Sequence, residues 1–207
     1  MLLYSITDRT QLQGSVVDFV ESAARAGVDW VQVREKDLPD TELYELVREC
    51  VARISSLPTR LLVNGRSDIA LAAGAHGAHL PSDSLSPASV RRITPPGFLV
   101  GVSCHNLAEV QSADGEGADF AAFGPIFDTL SKRRFGPPVG ATELQRVCAA
   151  VRIPVLALGG VTIENASSCM DAGAGGLAGI GIFQASESLE SSVRELRALG
   201  DTNSVAE

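Results

Sequence analysis

Ile153-Pro154-Val155-Leu156-Ala157-Leu158-Gly159-Gly160 is a short apolar run that stops on two glycines. A second run, Gly175-Gly176-Leu177-Ala178-Gly179-Ile180-Gly181-Ile182-Phe183, follows it closely. Each reads as a parallel strand buried on both faces, because the apolar residues are continuous rather than alternating. Backbone without side chains at the strand ends lets N–H groups approach an anion. In a (β/α)8 barrel, the loops after the seventh and eighth strands are the usual phosphate site. The two runs therefore predict a small phosphorylated ligand on one rim of a barrel. The plainer reading is that the glycines only permit tight strand-to-helix turns.

The same pattern extends outward in both directions. Strands are expected at Leu2–Thr7, Trp30–Arg34, Leu61–Asn64, Ala78–Leu80, Leu99–Ser103, Phe120–Gly124, Val155–Gly159 and Leu177–Gly181. Helical stretches lie between them, near 15–26, 40–55, 67–73, 87–93, 107–115, 141–151, 163–172 and 187–198. Eight such units in about 200 residues suit a closed α/β TIM barrel, a single (β/α)8 domain over residues 1–200. A doubly wound sheet would need a GxGxxG-like turn after the first strand, and none is there. Residues 201–207 read as a polar tail.

Polar residues at the carboxyl ends of these strands face a common mouth. They include Thr7, Asp8 and Arg9, then Gln32, Arg34 and Lys36, then Asn64, and then His79, Ser82, Asp83 and Ser84. Ser103, Cys104 and His105 follow the fifth strand. Gln32, Arg34 and Lys36 recur at every second position beside apolar Trp30, Val31 and Val33, so a spacing of two puts them on one strand face. Such groups inside a barrel need a carboxylate partner or an anionic ligand. A salt bridge to Glu35 or Asp68 would satisfy them. A phosphate or pyrophosphate would also do so, since Arg grips such oxygens bidentately and Lys supplies a point charge. The loop after the sixth strand carries Thr129, Ser131, Lys132, Arg133 and Arg134, and reads as a lid or as a solvated charge run.

Of the 207 residues, 45% are hydrophobic and 20% charged, an ordinary globular balance. A formal net charge of -8 with no basic block argues against a nucleic-acid partner. No run of about 18 apolar residues suggests a membrane span. The amino-terminal stretch meets Asp8 too early for a signal peptide, so a cytoplasmic location is expected. The four cysteines, Cys50, Cys104, Cys148 and Cys169, show no metal-ligand spacing. Nothing in the sequence decides against a homo-oligomer.

Several segments together resemble the thiamin phosphate synthase/TenI family. They are Gln32-Val33-Arg34-Glu35-Lys36, Asn64, Gly74–Leu80, Gly101–His105, Gly124–Lys132 and Ala157–Ala166, in family order across roughly residues 3–195. The resemblance implies the barrel and substrates of thiamin biosynthesis. Synthases of this family join a pyrimidine methyl diphosphate to a thiazole phosphate and release pyrophosphate. By resemblance, Gln32, Arg34, Lys36, Asn64 and Lys132 would hold the diphosphate, with Ser103, Thr129 and Ser131 nearby. Gly159, Gly160, Ile180 and Gly181 would hold the thiazole phosphate.

The chain departs from the synthase pattern at the metal. By resemblance the Mg²⁺ aspartates of synthases fall at Gly65 and Ser84, and Asp83 stands one residue early of the second, where a one-residue slip points a side chain elsewhere. Synthases also carry Ser where this chain has Ile180. These departures resemble the TenI branch, some of whose members are thiazole tautomerases that move a proton in a carboxythiazole phosphate. Such acid–base chemistry needs no metal cofactor. Its expected His falls at Pro125, so His105 or Cys104 would have to replace it. The sequence therefore leads with TenI-like handling of thiazole phosphate by His105, Cys104 and Lys132. A Mg²⁺-dependent synthase and a non-catalytic binder or regulator are the alternatives.

Overall fold

The computed structural model describes residues 1–129, 137–185 and 188–203. The chain alternates strand and helix throughout: β1 (Leu2–Ile6), α1 (Val16–Ala26), β2 (Trp30–Val33), α2 (Asp40–Ile54), β3 (Arg60–Asn64), α3 (Ser67–Ala72), β4 (Gly77–Leu80), α4 (Pro87–Arg91), β5 (Leu99–Cys104), α5 (Leu107–Gly115), β6 (Phe120–Phe123), α6 (Gly140–Ala149), β7 (Val155–Leu158), α7 (Ile163–Asp171), β8 (Gly176–Gly179), α8 (Gly181–Gln184) and α9 (Leu189–Asn203). The eight strands close into one parallel barrel in sequence order. β1 pairs with β8, with Tyr4 opposite Ala178.

Period-two alternation divides each strand between two cores. Leu3, Val31, Leu61, Val63, Val100, Phe123, Val155 and Leu177 face the surrounding helices. Tyr4, Leu62, Phe120, Leu156 and Ala178 fill the barrel itself, with Trp30 and Leu99 packed against them. Gly101 is required there, because a Cβ would stand 2.1 Å from the Phe120 ring. α1, α4 and α5 start on side-chain caps: Ser15, Ser86 and Asn106 each accept an N–H of the first turn.

The expected strands match those observed, with most carboxyl ends one or two residues shorter. Thr7, Arg34, Gly124 and Gly159 lie just past the strands, where the chain turns over the mouth. A short α8 stands between β8 and the final helix, and α9 runs to Asn203.

The amino-end rim repeats one device. Asp29, His76 and Asp119 each immediately precede an even strand and accept an N–H from the preceding odd strand. The donors are Leu3 N at 2.7 Å, Leu61 N at 3.0 Å and Val100 N at 2.6 Å. Arg91 pairs with Asp119. Arg197, from α9, pairs with Asp29 at 2.7 Å and also donates to the Met1 and Gly27 carbonyls. Among the described residues, no helix is long and apolar enough to cross a membrane.

Candidate functional site

A cavity of about 990 Å³ opens at the carboxyl ends of the strands. Every strand contributes to its wall or to the turn just beyond it. Ile6 and Asp8 come from the β1 end, Gln32 and Arg34 from β2, Asn64 from β3, His79 from β4 and Ser103 from β5. Asp128 and Thr129 follow β6, Leu158 to Gly160 close β7, and Ala178 to Gly181 close β8. A side cavity of about 350 Å³ adjoins it between β2, β3 and α2, and shares Lys36 and Asn64 with it.

At one end the wall is basic. β2 stops at Val33, so Lys36 sits in the following turn rather than on the strand face, yet it still reaches the cavity. The buried carboxylate of Glu35 is not the partner of Arg34. It accepts from Thr7 Oγ1 at 2.6 Å and from the Arg9 backbone N–H, and the Arg9 guanidinium lies 3.5 Å away. Asp68 is taken by Arg66, which also pairs with Asp40. Among the described residues Arg34 has no ion pair with a carboxylate, although Asp8 feels its charge. A guanidinium at a cavity wall without its own counter-ion suits an anionic ligand.

Deeper in, four side chains form one hydrogen-bonded chain across the barrel. Gln32 Nε2 donates to Tyr4 Oη at 2.7 Å, Tyr4 Oη lies 3.2 Å from His79 Nδ1, and His79 Nε2 lies 2.8 Å from Ser103 Oγ. Tyr4, Gln32 and His79 are 0%, 1% and 2% exposed. Burial pushes the Tyr4 hydroxyl well above its ordinary range, which keeps it protonated.

At the opposite end the wall is glycine backbone. Gly159 and Gly160 adopt φ of +94° and +67°, a region that favours glycine. A Cβ on Gly160 would also stand 2.7 Å from the Asp128 carbonyl oxygen. Close packing therefore requires these glycines, and their backbone still faces the cavity beside Ile180 and Gly181. Asn165 fixes this turn by donating to the Gly160 carbonyl at 2.9 Å and accepting from the Thr162 N–H.

Gln32, Arg34, Lys36, Asn64, Ser103, Thr129, Gly159, Gly160, Ile180 and Gly181 are thus brought together around one cavity. Ser131 and Lys132 lie outside the described residues. Cys104 is fully buried and does not line the cavity, and burial pushes its thiol up to about 12, away from a reactive thiolate. His105 is also absent from the wall. Its Nδ1 lies 2.6 Å from the Gly124 carbonyl oxygen and its backbone N–H donates to Glu109, so it braces the turn after β6. Asp83 is exposed and lies off the wall. Ser84 donates to the Pro81 carbonyl.

Sequence reading overlooked Tyr4, although it shares an inward face with Ile6 on β1. It also gave no role to Asp128 and Glu164, both of which line the cavity. The carboxylate of Glu164 is held below its ordinary range, chiefly by the Thr162 hydroxyl.

A family model described as thiamine monophosphate synthase matches residues 3–183. A putative thiamine-phosphate synthase 2 from Aquifex aeolicus is 45% identical over 181 residues, covering 87% of this chain and 96% of the relative. The thiamine-phosphate synthase of Methanoculleus marisnigri is 39% identical, over 94% of this chain and 93% of its own. A solved thiamine phosphate pyrophosphorylase from Pyrococcus furiosus superposes with a TM-score of 0.87 at 29% identity, covering 97% of this chain and 96% of the other.

Proposed function

This chain belongs to the thiamine monophosphate synthase family, and from that premise we propose that it is itself a thiamine-phosphate synthase. It joins a pyrimidine methyl diphosphate to a thiazole phosphate and releases pyrophosphate. The observation that carries this reading is one cavity with two different anion-receptive ends. Arg34, Lys36 and Asn64 form one end, and the backbone of Gly159, Gly160 and Gly181 the other. A carboxythiazole phosphate also carries two anionic groups, but the Arg34 and Lys36 pair matches the higher charge of a diphosphate better than a single carboxylate. The relatives named synthases favour the same choice, as does the position of His105 and Cys104 away from the wall. Tautomerase-type proton transfer by those two residues is therefore set aside.

In the proposed reaction the thiazole ring nitrogen forms a bond to the pyrimidine methylene carbon. The bond from that carbon to the diphosphate oxygen breaks, and pyrophosphate leaves with the electron pair. No proton need move. What the site must supply is orientation and stabilisation of the charge gathering on the leaving group. Arg34 offers a planar fork to the diphosphate oxygens and Lys36 a point charge. The glycine turns hold the phosphate of the nucleophile at the far wall, which fixes the direction of attack. By the family resemblance Lys132 would also hold the diphosphate.

Synthases of the family use Mg²⁺, and the two positions that carry its aspartates in synthases are Gly65 and Ser84 here, so they supply no carboxylate pair. Gly65 offers no ligand, Asp83 is exposed and off the wall, and no three His, Cys, Asp or Glu side chains cluster for a metal among the described residues. Asp8 lines the cavity, but Thr10 and Gln11 already donate to its oxygens. No step is routed through the ion.

The test is pyrophosphate release from the two substrates together, assayed with and without Mg²⁺. Release that requires both substrates is expected. Binding of thiazole phosphate with no pyrophosphate released under either condition would overturn the reading.

A further inference from the structure

We propose that Thr7 and Glu35 are positioning residues for the basic end of the cavity: together they hold the backbone at Arg34 and so aim its guanidinium at the ligand. This role rests on the synthase reading for its ligand, and on the turn after β2 for its geometry.

β2 pairs with β1 as far as Gln32, opposite Ile6, and with β3 as far as Val33, opposite Val63. The Thr7 N–H adds one more bond of that ladder, to the Gln32 carbonyl at 2.9 Å. The Arg34 N–H does not continue it. It turns to the Thr7 side chain and donates to Oγ1 at 3.0 Å. The chain leaves the sheet there, and the Glu35 carbonyl accepts the Leu38 N–H at 3.3 Å. One threonine thus ends the strand and starts the turn that carries Arg34.

A hydroxyl has a single hydrogen, and Thr7 gives it to Glu35 Oε1 at 2.6 Å. Its oxygen is then left to accept from Arg34. Donation to a carboxylate makes that oxygen the stronger acceptor, because hydrogen bonds in series polarise one another. Glu35 Oε2 accepts the Arg9 N–H at 3.2 Å. The Arg9 guanidinium is held from outside by two bonds of 2.7 Å to Asp37. Thr7 and Glu35 are buried, and none of Thr7, Glu35, Arg9 and Asp37 lines the main cavity. They touch no ligand there, so their effect must pass through the residues they hold. An arginine on a fixed backbone gives up less freedom when it grips an anion, and a small misplacement of such a group is expensive in rate.

Thr7→Val keeps the side-chain shape and removes the hydroxyl, whereas Thr7→Ser keeps the hydroxyl. Glu35→Gln also keeps its shape, but its one oxygen and one NH₂ cannot accept from both Thr7 and the Arg9 N–H. The experiment measures dissociation constants of the full chain for inorganic pyrophosphate and for thiazole phosphate, with and without Mg²⁺. Thr7→Val and Glu35→Gln are each expected to weaken pyrophosphate about tenfold, the scale of one lost charge-linked hydrogen bond. Thiazole phosphate should change by less than about twofold in both, and Thr7→Ser should bind both ligands within about twofold of wild type. In an Arg34→Ala background, Thr7→Val should cost less than about a further twofold, because the two changes act on one group. Should Thr7→Val not fold, Glu35→Gln reads the same comparison. Equal weakening of both ligands would make the pair merely structural and overturn the role. So would a full tenfold loss repeated without Arg34, unchanged pyrophosphate affinity in both variants, or a wild type that binds no pyrophosphate under either condition. Pyrophosphate release is followed on the same samples. The expected binding pattern without release would overturn the synthase reading and leave the positioning role standing.

Discussion

At the amino-end rim, Asp29, His76 and Asp119 each accept a backbone N–H from a neighbouring strand, and Arg197 and Arg91 neutralise the two carboxylates. At the carboxyl-end rim, Arg34 and Asn64 face a cavity instead of a protein partner among the described residues. Both rims spend polar side chains at strand ends, yet one closes on itself and the other stays open. The difference is whether the fold supplies the counter-charge or leaves it to a ligand. Glu35 shows how narrow the choice is. It is buried within the chain segment that carries Arg34, but its oxygens are taken by Thr7 and Arg9. That arrangement keeps the Arg34 guanidinium available.

The sharpest way to break this contrast is to remove Arg34. Arg34→Ala is expected to lower kcat/KM for pyrophosphate release by about 10²–10³-fold, as for other groups that stabilise transition-state charge. Its unfolding free energy should stay within about 0.5 kcal/mol of wild type, since no described carboxylate depends on it. A comparable loss of stability would mean that Arg34 is a structural ion. Asp119→Ala should give the reverse pattern. It strands the Val100 N–H and removes the counter-charge of Arg91, which keeps its bonds to the Gly117 and Phe98 carbonyls, so chemical denaturation should show a loss of about 1–3 kcal/mol, with kcat/KM nearly unchanged. A third variant separates the two ends of the cavity. Gly160→Ala meets both an unfavourable φ and the Asp128 carbonyl, and should raise KM for thiazole phosphate about tenfold while sparing KM for the diphosphate substrate. Equal effects on both would deny the ends their separate roles.

The smallest effect lies at His76. Burial lowers its pKa from 6.5, and its neutral Nδ1 accepts the Leu61 N–H. A histidine whose folded pKa is depressed contributes stability in full above the unfolded value. That contribution is lost as pH falls from about 6.5 through the lower folded value. Partial exposure limits it to under about 1 kcal/mol. Unfolding midpoints taken between pH 7 and pH 5 should therefore fall less steeply in His76→Asn. An unchanged slope would remove His76 from the pH dependence of the rim.

Much of this was legible in the chain because the decisive signals are local. Continuous apolar runs ending in glycine marked the strands, and a residue just past a strand in a barrel has one rim to occupy. Gln32, Arg34, Asn64 and Ser103 could therefore be assigned to the mouth without coordinates. The family resemblance named the substrates, and the relatives moved the emphasis from tautomerase to synthase. What escaped was set by distant contacts. Tyr4 meets Gln32 28 positions away and His79 75 positions away, and no local pattern announces such a chain. His105 misled for a similar reason. Its place after β5 suits a catalytic group, but the Gly124 carbonyl 19 positions later claims its ring. Lys36 lay on the expected face only if β2 continued, and β2 stops once Glu35 turns to Thr7.

The reach of Arg197 bears on the order in which the molecule assembles. The rim contacts of Asp29, His76 and Asp119 join residues 26, 15 and 19 positions apart, whereas Arg197 meets Asp29 across 168. Loop-closure entropy and folding time both rise with such separations. Neighbouring strands can therefore pair early and in any order, but the ring gains its final latch only when the last helix docks. Until then the free edges of β1 and β8 are open to pairing with another chain. Weakening Arg197 would thus expose the folding protein to aggregation more than it would trouble the finished catalyst.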